Sequence, residues 1–334
     1  MRQTVIATKQ DRQWQGIPAI ERAANGRLWA AFFSGGPKEP DPTNFVLLAT
    51  SDDDGVTWSE PMNTVDLPGD TRVYDPSLWH DPNGRLWLFY NHACLDPKDF
   101  SIWAMTTDNS DIATPTWSAP RKIEVGVPFA FRLNKPTVLT NGDWLLPVTW
   151  ADAAPDDWFA MTGQLQGVAI SSDQGGTWSF HGAVDAPRWA LENMFLERAD
   201  GRVWMLIRTG AGVLWESFSA DGGRTWTEAQ PTTIVNPGVR FFIGRLASGR
   251  ILLINTPDPK RRQTMLAYVA DDEEGIASAA SGLLLDGRNS VSYPDAVQGP
   301  DGTIYAVHDY DRAGHGEIVL SVLEEGDIPT VTPL

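Results

Sequence analysis

The sequence predicts an all-β chain, a six-bladed β-propeller, on three observations. An eight-residue turn motif recurs, a strand–turn–strand pattern recurs six times, and no Gly/Ser-rich or charged linker divides the repeats. The turn motif is S-x-D-x-G-x-T-W. It runs Ser51, Asp53, Gly55, Thr57, Trp58; then Ser171, Asp173, Gly175, Thr177, Trp178; then Ser219, Asp221, Gly223, Thr225, Trp226. Each copy follows an alternating apolar run and precedes another extended segment, the setting of a β-hairpin. The Asp can bond the N–H groups of its own turn, the Gly allows a left-handed backbone, and the Trp packs beneath. Thr106, Asp108, Thr116 and Trp117 form a stretched relative, and Asp271 to Gly275 a fifth copy without its Trp.

The second repeat is an apolar strand, a turn with Gly, and another apolar strand. Its turn glycines are Gly26, Gly84, Gly142, Gly201, Gly249 and Gly302, spaced by 48 to 59 residues. Each interval suits one four-stranded antiparallel sheet, and six of them suit a single propeller domain over residues 1–334. Thr4 to Ala7, a β-prone run ahead of the first repeat, is expected to pair with the last sheet.

Composition narrows the function. With 26 Lys+Arg against 43 Asp+Glu the net charge is −17, which disfavours nucleic acid and anionic membrane as partners. The lone Cys94 excludes an intrachain disulfide and a Cys-based zinc cluster. No metal-ligand cluster, phosphate loop or dinucleotide glycine pattern is visible, so neither metal nor cofactor is expected. No run approaches the ~20 apolar residues of a membrane span. The N-terminus lacks a signal-peptide core, so the sequence as given reads as cytoplasmic. A leader already removed would place the protein in the periplasm or outside the cell.

In a propeller the first strand of each blade starts near the central axis, and the second ends at the same face. The residues just before the first strands are Ile17, Asp75, Lys135, Glu192, Arg240 and Tyr293. Five of them are polar or ionisable beside a buried strand, which points to an active site. The second strands end at Asn91 and His92, Thr149 and Trp150, Arg208, Asn255, then His308 and Asp309. Arg208 closes the apolar run VWMLIR, so it needs a buried partner, and Glu192 is the obvious one.

The turn motif, an Asp box, together with the blade pattern resembles the sialidase (neuraminidase) superfamily of BNR-repeat proteins over nearly the whole chain. The resemblance implies a sialidase-like glycoside hydrolase acting on a terminal, acidic sugar of an oligosaccharide or glycoconjugate. It places the Asp boxes on the rim, away from catalysis. It implies a Tyr nucleophile (Tyr293, in SVSYPDA), a Glu that takes its proton (Glu192), and an acidic general acid/base. That acid is Asp41 or Glu39, in the loop before the first Asp box. Arg208 and Arg262 match family arginines that grip the substrate carboxylate. A phenol is a weak nucleophile near neutral pH until a carboxylate removes its proton.

Two departures stand out. The family's R-I-P motif reads Gly16-Ile17-Pro18, leaving Arg72, Arg132 or Arg240 to supply the missing guanidinium. Asp295 adds a carboxylate beside Tyr293. The substrate-binding set is therefore Arg72, Asp75, His92, Lys135, Arg208, Arg240, Arg262 and Asp295. Two alternatives stay open: a uronate-directed lyase on the same scaffold, with His92 as base, and a non-catalytic carbohydrate-binding propeller. Trp150, Trp189 and Phe131 are candidates to stack on a sugar. His80, His181 and His315 read as structural or loop residues.

Overall fold

A computed structural model describes residues 1–132, 134–156, 163–187, 189–279 and 281–329. The chain is all-β, its one α-helix among the described residues being the short Glu273–Ala277. Five sheets, none closed on itself, are present among these residues where the repeat predicts six. The third repeat is the irregular one. Its first strand is reduced to Phe129–Phe131 and Thr137–Val138, on either side of a segment containing Pro136, which has no N–H for a ladder. No helix among the described residues is long and apolar enough to cross a membrane.

Contacts divide the chain into two compact units: Met1–Lys122 with Gly287–Asp327, and Ile123–Asp286 with Ile328–Leu334. In the first unit, Gln15–Arg22, Leu28–Ser34, Phe45–Ser51 and Met62–Val65 form one antiparallel sheet. Arg72–His80, Leu86–Leu95 and Lys98–Thr107 pair in the same sense. Val291–Gln298, Ile304–Tyr310 and Glu317–Leu323 take Arg2–Ala7 as their fourth strand, as expected for the N-terminal run. Ile6, Ile20, Phe32, Leu47, Val307 and Leu320 make the apolar layer between the first and last of these sheets.

In the second unit, Leu191–Glu197, Val203–Arg208, Val213–Ser219 and Gln230–Val235 form one sheet. Phe242–Arg245, Ile251–Asn255 and Gln263–Ala270 belong to the next. Trp144–Ala151, Leu165–Ser171 and Ser179–Val184 pair beside the broken first strand of their repeat. Leu145, Val168, Ile170, Phe195, Met205 and Ile207 fill the layer between two of these sheets.

Both repeats fold locally as their residues dictate. All six turn glycines have φ between +81° and +99°. Each donates its N–H three residues back, as Gly84 does to the Asp81 carbonyl and Gly201 to that of Arg198. In the first Asp box, Asp53 Oδ1 accepts from Thr57 N–H at 2.8 Å, and Oδ2 from the Thr57 hydroxyl at 2.7 Å. Ser51 Oγ accepts from Gly55 N–H at 2.9 Å, and Trp58 packs against the apolar layer beneath. Asp173 and Asp221 repeat these bonds. The expected fifth box does not form. There Asp272 caps the helix, accepting from Gly275 N–H at 2.7 Å.

Candidate functional site

The aligned residues share a backbone device that the sequence reading placed slightly wrongly. Ile17, Asp75, Glu192 and Tyr293 lie inside their strands, not ahead of them, each where the register shifts. Their φ values are 57°, 49°, 57° and 56°, in the left-handed region. Such a residue in a β-bulge re-aims its side chain, at a cost of about 1–3 kcal/mol. That this recurs at the same point of four repeats marks the positions as equivalent. Pro18, Pro76 and Pro294 follow three of them. A proline inside an apolar strand pattern was the signal for a bulge. Arg240 does precede its strand, whereas Lys135 lies in the break between Phe129–Phe131 and Thr137–Val138.

In the first unit the Ile17 and Tyr293 bulges adjoin one arginine that sequence reasoning missed. Arg312, on the turn after Ile304–Tyr310, donates from Nε to Asp309 Oδ2 at 2.8 Å and from Nη2 to Ser292 Oγ at 3.1 Å. Its Nη1 donates to Glu39 Oε2 at 3.2 Å. Its guanidinium lies 4.1 Å from the ring centre of Tyr293 and 5.7 Å from that of Trp14. Burial opposes its charge, but Asp309, Tyr293 and Glu39 more than offset this and hold its pKa above the ordinary arginine value. Asp309 is fully buried. It accepts from Ile17 N–H at 2.8 Å and from Ser292 Oγ at 2.6 Å as well. Arg72, the other cation of the cluster, stacks 3.9 Å over Tyr74 and reaches Glu39 Oε1 at 3.7 Å. Glu39 thus bridges two guanidiniums. Asp41 binds within its own turn, taking Thr43 N–H at 2.9 Å and the Thr43 hydroxyl at 2.6 Å. Asp75 and Tyr293 are buried at their bulges. Asp295 is fully buried, with Oδ2 accepting from Ile20 N–H at 2.9 Å, which ties two strands together.

In the second unit, Glu192 and Arg208 form the buried pair that the sequence demanded, Oε2 to Nη1 at 2.6 Å. Thr149 Oγ1 accepts from Glu192 N–H at 3.2 Å. Asn134, another residue not singled out from sequence, holds the bulge from outside. Its Nδ2 donates to the Glu192 and Asn193 carbonyls at 2.8 and 2.9 Å, and its Oδ1 accepts from Arg240 Nε at 2.6 Å. Arg132 donates to the Asn134 carbonyl at 3.0 Å. Arg132 and Arg240 are fully buried, so they brace this bulge. Lys135 is buried, and Arg262 is half-buried just ahead of Gln263–Ala270.

His92 does not join the first cluster. It lies opposite Val73, so strand alternation turns it to the face away from Arg72 and Tyr74. It is buried and stacked 4.6 Å from Trp103, and desolvation lowers its pKa to about 4. This environment supports packing, not a base for the lyase alternative. Of the aromatics, Phe131 is buried edge-on to Phe129, and Trp150 donates to the Gly182 carbonyl; Trp189 is exposed. His80 bridges Glu21 and Ser110, a structural arrangement. No group of three or more His, Cys, Asp or Glu placed to hold a metal occurs among the described residues.

Comparison with known proteins bears on the family and the fold. A family model described as a BNR repeat-like domain matches residues 26–306. No curated protein matches the sequence. Among solved structures, a protein of unknown function from Dyadobacter fermentans superposes with a TM-score of 0.80 at 20% identity, over 97% of this chain and 98% of that one. The Hadza microbial sialidase Hz136 gives 0.79 at 18% identity, over 96% and 68%. An intramolecular trans-sialidase from Ruminococcus gnavus, solved with oseltamivir carboxylate, gives 0.74 at 15% identity, over 99% and 98%. At these identities the likeness is one of fold.

Proposed function

Because the chain belongs to the BNR repeat-like family within the sialidase superfamily, we propose that it is a carbohydrate-active enzyme, an exo-acting glycoside hydrolase that cleaves a terminal acidic sugar through Tyr293. The observation that carries this reading is Tyr293 itself: a buried phenol fixed at a left-handed bulge, with a guanidinium on its ring. Ordinary core tyrosines need neither feature.

In this reading the phenol oxygen attacks the anomeric carbon and the bond to the leaving oxygen breaks. The phenol proton passes to a carboxylate, the role that the family pattern gives to Glu192. The general acid protonates the leaving oxygen, then acts as base on the water that releases the sugar from Tyr293. Two displacements at one carbon return the starting configuration, so the product is of retained anomeric form. Asp41 keeps the acid/base assignment, because Glu39 is engaged by Arg312 and Arg72. An acidic sugar suits these two arginines. They already hold a carboxylate, that of Glu39, and a ligand carboxylate that displaced it would find the same donors.

The test is mass spectrometry of products from sialylated and uronate-containing oligosaccharides. Hydrolysis gives products whose summed mass exceeds the substrate by one water. Tyr293→Phe and Glu192→Gln are each expected to lower kcat by at least ~10²-fold, the scale of losing a nucleophile or its base. Full activity in both variants sinks the assignment. An unsaturated product sinks hydrolysis.

A further inference from the structure

We propose that Arg312 is a positioning residue for Tyr293, lodged in space that Gly16 leaves open by having no side chain. A Cβ at residue 16 would stand 2.9 Å from Arg312 Cγ and Cδ and 3.0 Å from Nε. Gly16 is not among the residues of positive φ, so its backbone does not require glycine; the room does. The arginine is fixed from several sides. Its carbonyl accepts from Gln15 N–H at 3.1 Å, while its guanidinium edges reach Asp309, Ser292 and Glu39. With its edges spent on these partners, the guanidinium presents its flat face to the Tyr293 ring.

Two consequences follow for the phenol. The stacked plane fixes the orientation of the ring. The positive charge favours the phenolate, since an opposite charge within about 4–6 Å lowers a pKa by ~1–3 units. Asp309 and Glu39 act in the reverse sense on the phenolate, so removing Arg312 takes away a charge that favours it and leaves these two that oppose it. The role in turnover rests on the proposed reading of Tyr293 as nucleophile; the electrostatic coupling does not.

The test is alkaline titration of the ultraviolet phenolate band, taken as the difference between the parent and Tyr293→Phe, which isolates one of six tyrosines. Arg312→Gln is expected to move this titration upward by roughly one unit or more. Arg312→Lys, which keeps the charge without the plane, is expected to move it less. Gly16→Ala, which pushes the guanidinium aside without changing any charge, is expected to move it upward too. On a cleaved substrate, Arg312→Gln is expected to lower kcat in addition to raising KM, since the same guanidinium is proposed to receive the sugar carboxylate. An unmoved titration in both Arg312→Gln and Gly16→Ala overturns the proposal. If Arg312→Gln fails to fold, Gly16→Ala and Arg312→Lys decide it. Shifts without any sugar cleavage would fail the hydrolase reading and leave the Arg312 inference standing. Cleavage without shifts would do the reverse.

Discussion

Asp309 holds the first unit's cluster at the scale of single residues. Its two oxygens take a backbone N–H, a hydroxyl and a guanidinium, from three different segments. Asp309→Ala strands Arg312 beside Tyr293 with a buried charge that has lost its closest carboxylate. Breaking a buried ion pair from one side costs about 3–5 kcal/mol. We expect the unfolding free energy from urea titration to fall by that amount, and by less for Asp309→Asn, which keeps the shape. Glu39 makes the opposite kind of prediction. It is partly exposed and occupies two guanidiniums at 3.2 and 3.7 Å. Glu39→Gln removes the competing charge, so KM for a carboxylate-bearing sugar is expected to fall several-fold. A rise in KM would show that Glu39 assists binding. At this scale the sequence exposed some partners and hid others. The Glu192–Arg208 pair was legible because an arginine ending a run of buried apolar residues must find a carboxylate. Arg312 was not legible, because its partners lie as far as residue 39 and nothing local in YDRAGHG marks it.

The same contrast holds for elements. Turns were legible because Gly, Asp and Trp act within a few residues of one another. The four bulge residues were read as standing just before their strands, because alternation cannot show a position where it is interrupted. The prolines that follow Ile17, Asp75 and Tyr293 carried that information, and the apolar run around them obscured it. The third repeat lost regularity for a related reason, with Pro136 in the break that divides its first strand. Glycine substitutions separate the two reasons for glycine in a recurring turn. Gly55 and Gly84 have nearly the same φ, +78° and +83°. A Cβ at Gly84 meets nothing within 4 Å, whereas at Gly55 it falls 2.2 Å from Leu320. Gly84→Ala is expected to cost only the left-handed penalty, about 1–2 kcal/mol. Gly55→Ala adds a clash inside the apolar layer that holds Leu320, and overpacking costs a further ~1–3 kcal/mol. Thermal unfolding of the two variants side by side reads the difference, and equal losses would refute the packing role of Gly55.

For the molecule as a whole, the net charge of −17 predicts self-repulsion that eases as exposed carboxylates protonate. The Asp boxes and His92 oppose that trend. Asp53 and Asp173 are held at about 2 chiefly by the backbone N–H of the following threonine, and Asp221 chiefly by the Thr225 hydroxyl. A carboxyl whose folded pKa lies below its unfolded value contributes stability above the unfolded value, near 3.8, and loses it as pH falls toward 2. His92 acts in a higher window. Its folded pKa of about 4 lies below the ordinary 6.5, so the unfolded chain binds its proton first. Stability from His92 is complete above 6.5 and is lost as pH falls to 4, by ~3 kcal/mol at 1.36 kcal/mol per unit. Denaturant midpoints across pH 2–7 separate the two groups. His92→Phe, which keeps a ring against Trp103, should flatten the slope between pH 6.5 and 4 and leave the steeper fall below 4. Asp53→Asn, Asp173→Asn and Asp221→Asn combined should flatten the fall below 4 and leave the upper window alone. If the triple variant instead altered only the upper window, the Asp boxes would not be the source of acid lability.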